Sequence, residues 1–187
     1  MPGLVVLSEI YEQLKGCVSG FNRGLWQSLT SDARVFTPVD RDNVIELMFL
    51  SVRDDEKHLI SPNVEWLAQA PHFEESQTYG IFHRGCAVGL ISIIDPLLAS
   101  ADDQRTFYQS NCLYVWRLMI DHGHRHKGHG RAAIAFVLEQ AKNRGIEGVS
   151  LTTKDKEPGN ALPFYQSLGF SATGRRLHDE IELIYRS

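Results

Sequence analysis

The fold of this chain is decided by residues 112–141, which read CLYVWRLMIDHGHRHKGHGRAAIAFVLEQA. The first ten residues are apolar, aromatic and β-branched, which predicts a buried strand over residues 112–121. From Arg131 onward, apolar residues recur at steps of three and four, and this spacing predicts a helix that ends near Gly145. Between them lies the loop Arg125-His126-Lys127-Gly128-His129-Gly130. Because a helix N-terminus carries unpaired N–H groups that attract an anion, and glycines let the backbone come close to it, we expect the loop to hold a pyrophosphate.

The spacing of the glycines separates this loop from two common phosphate-binding patterns. A Walker-type loop needs four residues between its glycines and then Gly-Lys-Ser/Thr, which the chain lacks here. A dinucleotide fingerprint needs G-x-G-x-x-G, and this pattern is also incomplete. Ala133 stands where the third glycine is required, although some fingerprints admit Ala at that position. The pattern R/Q-x-x-G-x-G/A at a strand-to-helix junction instead resembles motif A of the GNAT superfamily of N-acetyltransferases, which holds the pyrophosphate of acetyl-CoA.

A second segment supports this resemblance. The run NALPFYQSLGF, which begins at Asn160, resembles the superfamily's N-x-x-A-x-x-Y-x-x-x-G-F segment in shortened form, with Asn160, Tyr165, Gly169 and Phe170 in register. Its residues also predict a helix by themselves, because Asn160 is a good N-cap, Pro163 falls in the first turn and Gly169 ends the helix. With both segments present, the chain is identified as a member of the superfamily.

The predicted elements form one α/β (α+β) domain with the order β-α-α-β-β-β-α-β-α-β-β. The strands are expected at residues 34–39, 78–83, 86–94, 112–121, 148–153, from 170 and at 181–185, and the helices at 43–51, 63–70, from 131 and at 161–168. The resemblance implies a single mixed, mostly antiparallel sheet flanked by helices, in which the central strands 112–121 and 148–153 are parallel and splay apart. It covers residues 34–187, the predicted N-acetyltransferase domain. Residues 1–33 form an N-terminal extension without a counterpart, with a short helix expected at 8–17, and residues 95–111 are longer and more polar than the family pattern.

The resemblance also implies which residues bind acetyl-CoA. The main chain of Leu118, Met119 and Ile120 would bind the pantetheine arm in the manner of an added strand. The other implied cofactor-binding residues are Arg125, His126, Lys127, Gly128, His129, Gly130, Arg131, Asn160 and Tyr165. Four histidines, at positions 122, 124, 126 and 129, suggest a metal site, but their place in the phosphate loop accounts for them, and no metal is expected.

Acetyl transfer to an amine needs an acid and a base. Tyr165 matches the tyrosine that protonates the departing CoA thiolate in many family members, and a phenol of pKa about 10 is protonated at neutral pH. An alkylamine must lose a proton first, which costs roughly 4 kcal/mol at neutral pH without assistance. Asp121, Glu180 and Glu182 are the candidates for the base, and Asp121 is equally placed to be a structural cap.

The acceptor is suggested by a narrower resemblance. VWRLMID, ending at Asp121, is similar to the "RLMID" segment of bacterial spermine/spermidine acetyltransferases, which implies a polyamine or diamine as the acceptor. Two alternatives remain open: an acetyltransferase for another small amine or a protein amino group, and a non-catalytic acyl-CoA-binding module.

Composition sets further limits. The 187 residues suffice for one core, and 43% hydrophobic content is ordinary for a globular protein. A net charge of −4 argues against a nucleic-acid partner. With no leader-like pattern or long apolar run, we expect a soluble cytoplasmic protein without a membrane partner. Three cysteines without metal-ligand spacing are expected to be reduced thiols, and related proteins suggest a homodimer.

Overall fold

A seven-stranded sheet with helices on both faces forms the structure, a computed structural model that describes residues 33–98, 109 and 111–186. The strands are β1 (Arg34–Pro38), β2 (Ser76–His83), β3 (Cys86–Ile94), β4 (Cys112–Ile120), β5 (Gly148–Lys154), β6 (Ser171–Leu177) and β7 (Glu180–Arg186). The helices are α1 (Val44–Met48), α2 (Asn63–Gln69), α3 (His129–Asn143) and α4 (Leu162–Ser167), with short 3-10 turns at Asp54–Glu56, Ala70–His72 and His122–His124. These elements follow one another in the predicted order.

The strands are arranged as β1-β2-β3-β4-β5-β7-β6. Every neighbouring pair is antiparallel except β4 and β5, which are parallel. The parallel ladder runs only from the pair Cys112↔Gly148 to the pair Val115↔Leu151, although β4 continues to Ile120 and β5 to Lys154. The predicted fold class, a mixed and mostly antiparallel sheet with one central parallel pair, is confirmed.

A β-bulge in β4 lies where the parallel ladder ends. On the β3 side, Ile93 pairs with Val115 and Ser92 pairs with Arg117, so Trp116 is one residue more than β3 supplies. A bulge bends its strand and increases the local twist. Because the bend falls directly after Val115, it accounts for the separation of β4 from β5 at that point.

The sheet is covered by a core on each face. On one face, α3 packs its apolar side against β3, β4 and β5, and α4 adds Tyr165; the buried residues of α3 there are Ala133, Ile134, Val137 and Ala141. On the other face, Leu47 of α1 and Trp66 of α2 pack against Leu90 and Met119. Full burial of side chains of this size stabilises the fold by about 1.5–3 kcal/mol each.

Most helix boundaries lie within a residue of the sequence predictions, and two differ by more. Helix α3 begins at His129, inside the predicted loop, and α1 ends at Met48 rather than at residue 51. The second difference has a tertiary cause: the N–H of Ser51 donates to the Asp121 carboxylate (3.0 Å), and the Ser51 carbonyl accepts the N–H of His122 (2.9 Å). The chain after Met48 is therefore held against the end of β4.

Some predictions lie outside the described residues. They include the helix at residues 8–17, almost all of the extension 1–33, and most of the polar segment 95–111. Within the part that is described, Cys86 and Cys112 are free thiols. None of the helices described there is long and apolar enough to cross a membrane.

Candidate active site

The candidate site is the gap that opens between β4 and β5 beyond the last parallel pair, Val115↔Leu151. On its far side, β4 remains paired with β3 through Leu118↔Ile91, Met119↔Leu90 and Ile120↔Gly89. At 3.3 Å per residue, β4 residues 116–120 extend about 17 Å beyond the ladder. Leu118, Met119 and Ile120, the residues expected to offer their main chain, thus border the gap.

One end of the gap is formed by residues 125–131, which join β4 to α3. We call it the donor end, because the sequence predicts that the pyrophosphate of the acetyl donor binds there. Gly128, the N-cap of α3, has φ +82, a left-handed conformation that favours glycine. The first helical bond runs from the N–H of Ala132 to the carbonyl of Gly128 (3.0 Å). Hence the N–H groups of the first turn, from His129 to Arg131, have no acceptor within the helix and carry the partial positive charge of its N-terminus.

The three cations predicted to meet a phosphate differ in their surroundings. Arg125 donates to the buried carboxylate of Glu56 (2.5 Å), which also receives Arg53 (3.1 Å). Lys127 donates to the carbonyl of Gly123 (2.9 Å), and Arg131 is exposed on the first turn of α3. Arg125 therefore connects the donor end to the segment between α1 and α2. The sequence analysis did not predict this ion pair.

The side chain of His129 lies beneath the donor end rather than on its surface. Its Nδ1 accepts a hydrogen bond from Nε of Arg34 (3.4 Å), and Nη2 of Arg34 also donates to the carbonyl of Lys127 (2.7 Å). Burial, and then the charges of Arg34, His83, His124 and Lys127, lower the pKa of His129 from 6.5 to about 4. His129 is thus a neutral support of the loop, besides its predicted main-chain role.

The four histidines of this region do not assemble into a metal site. His122 and His126 are exposed, whereas His129 is buried at a ring distance of 6.3 Å from His124. Among the residues that the structure describes, no group of three or more His, Cys, Asp or Glu side chains is placed to hold a metal ion.

The other end of the gap lies where the parallel ladder stops, and Tyr165 of α4 lies beside it. We call it the reaction end, because Tyr165 is the residue predicted to act as the acid. Its ring packs against Phe164 (5.1 Å) and Phe170 (5.9 Å between centroids), and the residue is 8% exposed. Burial, with the charges of Glu180 and Tyr114, raises the pKa of Tyr165. The phenol therefore stays protonated at neutral pH, as a general acid must.

Asn160 fixes the start of the helix that carries Tyr165. Its amide oxygen accepts the N–H of Leu162 (3.0 Å), and its amide nitrogen donates to the carbonyl of Glu157 (2.7 Å). The helix begins at Leu162, one residue later than expected, with Pro163 in its first turn as predicted.

On the opposite face of the sheet, three polar side chains complete the reaction end. The Tyr114 hydroxyl lies 2.9 Å from Oγ1 of Thr152, and Oγ1 of Thr152 donates to the carboxylate of Glu180. Tyr114 is 4% exposed, and burial raises the pKa of its phenol. Of these residues, the sequence singled out only Glu180; Tyr114 and Thr152 read there as ordinary strand residues.

The three carboxylates predicted as bases have different partners. Asp121 caps the turn after β4: its two oxygens accept the N–H groups of Gly123 (2.9 Å) and Ser51 (3.0 Å). Glu182 is buried and is surrounded by donors, namely Gln109 (2.6 Å), Thr173 (2.5 Å) and Arg175 (3.6 Å). Only Glu180 connects to the hydroxyl pair at the reaction end, so its contacts distinguish it from the other two.

Arg117 is the cation nearest to the bulge. Its guanidinium lies over the ring of Trp116, 5.3 Å from the centroid, and its Nε is buried without a hydrogen-bond partner among the described residues. Burial lowers the pKa of Arg117, whereas the charges of Glu65, Glu180 and Tyr114 raise it. A positive charge therefore faces the carboxylates of this side of the sheet.

The fold of this chain is shared by solved acetyltransferases. An acetyltransferase from Thermus thermophilus superimposes with a TM-score of 0.63 at 16% identity, covering 83% of this chain and 97% of that one. The PaiA N-acetyltransferase from Thermoplasma acidophilum, in complex with coenzyme A, gives a TM-score of 0.58 at 12% identity, covering 83% and 99%. The sequence profile of the acetyltransferase (GNAT) family matches residues 38–170, and the chain belongs to this family.

Proteins similar in sequence carry the name N-acetyltransferase family 8. Member 3 from Rattus norvegicus is 33% identical over 115 residues, which are 58% of this chain and 46% of the relative. Member 7 from Mus musculus is 27% identical over 150 residues, 76% of this chain and 61% of the relative. The chain thus spans about half the length of the first of these relatives and three fifths of the second. The superfamily prediction is confirmed, whereas the polyamine subfamily is not and stays a prediction.

Proposed function

We propose that this chain is an acetyl-CoA-dependent N-acetyltransferase that moves the acetyl group to a primary amine by direct attack in a ternary complex. The observation that carries the proposal is the gap between β4 and β5, which has a helix N-terminus at one end and a buried tyrosine at the other. The Thermoplasma protein and an acetyltransferase from Bacillus subtilis, both of similar fold, are complexes with coenzyme A.

The donor would lie along the gap. Its pyrophosphate would meet the N–H groups of residues 126–131, with Arg131 and Lys127 supplying charge. The pantetheine arm would pair with the main chain of Leu118, Met119 and Ile120, because these groups border the gap beyond the ladder. The thioester then falls at the reaction end, beside Tyr165.

The transfer itself forms one bond and breaks one. The free amine attacks the thioester carbonyl, a C–N bond forms, and the C–S bond breaks to leave a thiolate. Tyr165 donates its phenolic proton to that thiolate, and the phenolate takes up the extra proton that the attacking nitrogen loses as it becomes an amide, directly or through water. No covalent enzyme intermediate is needed, because the thioester is already activated and the ternary complex supplies proximity.

The acceptor that we propose is a polyamine or a diamine. The resemblance of residues 115–121 to polyamine acetyltransferases supports this choice, as does the group of carboxylates on the face that carries Glu180 and Glu182. Another small amine or a protein amino group is the alternative; one solved structure of similar fold is the ribosomal-protein-S18-alanine N-acetyltransferase from Escherichia coli. A cytoplasmic location and a homodimer also stay predictions.

The test is release of the CoA thiol from acetyl-CoA in the presence of spermidine, spermine, putrescine, an aminoglycoside and a peptide with a free N-terminus. Release with the three polyamines supports the whole proposal. Release with the aminoglycoside or the peptide alone keeps the activity and rejects the polyamine. Binding of acetyl-CoA without release by any amine rejects the enzyme in favour of a non-catalytic acyl-CoA-binding module.

A further inference from the structure

We propose that Tyr114, Thr152 and Glu180 form a proton path that takes a proton from the ammonium form of the acceptor, with Glu180 as the final base. This proposal rests on the acetyltransferase activity proposed above and assigns the base that such an activity requires. The path has its own geometry, and it uses two residues that neither the sequence motifs nor the family resemblance singled out.

The path lies at the place where the parallel ladder ends. Tyr114 is paired with Ser150 one step before the last pair, and Thr152 is the first residue of β5 beyond it. Glu180 opens β7, opposite Lys154 and two residues away from Glu182, which pairs with Thr152. The three side chains therefore converge from three neighbouring strands on the closed end of the gap, next to the bulge at Trp116.

The direction of the hydrogen bonds is set by chemistry. The Glu180 carboxylate only accepts, so the hydroxyl of Thr152 must donate to it. Thr152 has a single hydroxyl proton, which it donates to Glu180. In the hydrogen bond between Tyr114 and Thr152, the Tyr114 hydroxyl must therefore be the donor. A phenol oxygen also accepts through its lone pairs, so Tyr114 can receive a hydrogen bond from an ammonium group while it donates to Thr152.

The proton transfer balances along this chain. The ammonium gives one proton to the Tyr114 oxygen, Tyr114 passes its own proton to Thr152, and Thr152 passes its own to Glu180. Both hydroxyl groups end neutral, the carboxylate becomes a carboxylic acid, and the amine becomes the free base that attacks the thioester. Glu180 is half-buried, so it can return the proton to solvent after the transfer.

The neighbours of Glu180 suit this role. The charge of Glu180 acts on Arg117 of β4 and on Tyr165 of α4, Lys154 is its cross-strand partner on β5, Leu177 is its apolar partner on β6, and Glu182 lies two residues along its own strand. Lys154 is itself paired with Asp179 (3.3 Å) and with the carbonyl of His58 (3.0 Å), so it does not form the contact that Thr152 makes. The other two candidate carboxylates, Asp121 and Glu182, point to backbone N–H groups and to Arg175 instead.

The experiment compares Thr152→Val with Thr153→Val, the same change one residue along β5 and on the opposite face of the strand. At pH 7 we expect kcat/KM to fall about 100-fold in Thr152→Val, because the variant depends on the small fraction of free amine, and to change less than about threefold in Thr153→Val. At pH 10, where an alkylamine is largely free base, the loss in Thr152→Val should shrink to about threefold. The raised pKa of Tyr165 keeps the acid protonated there.

A second acceptor isolates the step. With a weakly basic amine that is unprotonated at pH 7, such as methoxyamine, Thr152→Val should match the unmodified chain at pH 7 and above. Tyr114→Phe, which keeps the buried ring and removes only the hydroxyl, should reproduce both results and replaces Thr152→Val if that variant does not fold.

The outcomes separate two failures. If the unmodified chain releases no CoA with any amine, the acetyltransferase activity fails and the path fails with it. If the unmodified chain is active and both variants keep full rate at pH 7, only the path is rejected. A loss that is equal at pH 7 and pH 10, or equal for both acceptors, assigns these residues a packing role and also rejects the path.

Discussion

The donor end of the gap is built mainly from backbone, and the reaction end is built from side chains. At the donor end, the unpaired N–H groups of the first turn of α3 and the left-handed Gly128 form the surface that a phosphate would meet. At the reaction end, Tyr114, Thr152 and Glu180 are hydrogen-bonded across three strands, and Tyr165 of α4 lies close enough for the charges of Glu180 and Tyr114 to act on its phenol. The first surface depends on how the chain turns, and the second on which atoms the side chains carry.

This difference determines which substitutions each end tolerates. A backbone surface survives changes of individual side chains, because any residue supplies an N–H group, but it is sensitive to a change in φ. A side-chain cluster survives small shifts of the backbone but loses its chemistry when a single oxygen is removed.

Removing one oxygen from the reaction end should give the largest effect. In Tyr165→Phe we expect kcat to fall about 100-fold or more, because no acid protonates the thiolate, while the Kd for acetyl-CoA stays within about twofold. Steady-state kinetics and calorimetric titration measure the two quantities. Tyr185→Phe, which removes a phenol from β7 outside the reaction end, is the control. Unchanged turnover in Tyr165→Phe would contradict its assignment as the acid.

The support beneath the donor end should respond to pH. Because the pKa of His129 is lowered from 6.5 to about 4 in the folded chain, the unfolded chain binds this proton first as the pH falls. Stability from this residue is thus complete above about pH 6.5 and is lost towards pH 4, by up to about 3 kcal/mol. Urea unfolding at pH 7 and pH 5 should show a smaller change in His129→Gln than in the unmodified chain. A variant of the exposed His122, His122→Gln, should keep the full change; equal changes in all three proteins would refute the prediction.

A change of backbone conformation should weaken the donor end alone. In Gly128→Ala the left-handed φ of +82 costs about 1–2 kcal/mol, and we expect acetyl-CoA affinity to fall about tenfold as the loop relaxes. Gly145→Ala imposes the same kind of strain at φ +68 beyond the other end of α3. It should lower stability similarly and leave affinity unchanged. Equal affinities in the two variants would show that the loop's turn does not govern binding.

Removal of a single cation from the donor end should have the smallest effect. In Arg131→Gln we expect the Kd for acetyl-CoA to rise about two- to fivefold, with less effect at high salt, since a charge at a helix N-terminus is worth about 0.3–1 kcal/mol. Titration at two salt concentrations measures it, with Arg186→Gln, on the exposed end of β7, as the control. A loss above about fiftyfold would mean that one side chain, rather than the backbone, dominates the donor end.

The donor end could be read from the sequence because its parts are contiguous. A strand pattern, two glycines and a helical pattern follow within residues 112–141, and each has a local physical cause. The order of all eleven main elements was predictable for the same reason. Hairpins can be predicted from the two residues of their turn. The β2-β3 hairpin turns at Arg84 and Gly85, which have left-handed φ values of 52 and 75.

The remainder depends on contacts between distant parts of the chain. Arg34 and His129 are 95 residues apart, Glu56 and Arg125 are 69 apart, and Tyr114 and Thr152 are 38 apart. No local pattern marks such partners, because a threonine in a strand looks the same whether or not a carboxylate lies beside it. The same limit explains why the end of α1 was misplaced: its neighbour Asp121 lies 70 residues beyond Ser51.

The bulge in β4 also bears on how this gene can vary. Leu113 and Val115 before the bulge, and Leu118 and Ile120 after it, belong to the same core, which is arranged only because Trp116 adds one residue between them. Deleting the extra residue at the bulge would leave these side chains on their shared face, because regular alternation then places them there, whereas inserting a residue elsewhere in the strand would turn part of it to the wrong face of the sheet. Substitutions here can therefore accumulate one at a time and a single-residue deletion should occur only at the bulge, whereas single-residue insertions should be absent from functional copies of the strand.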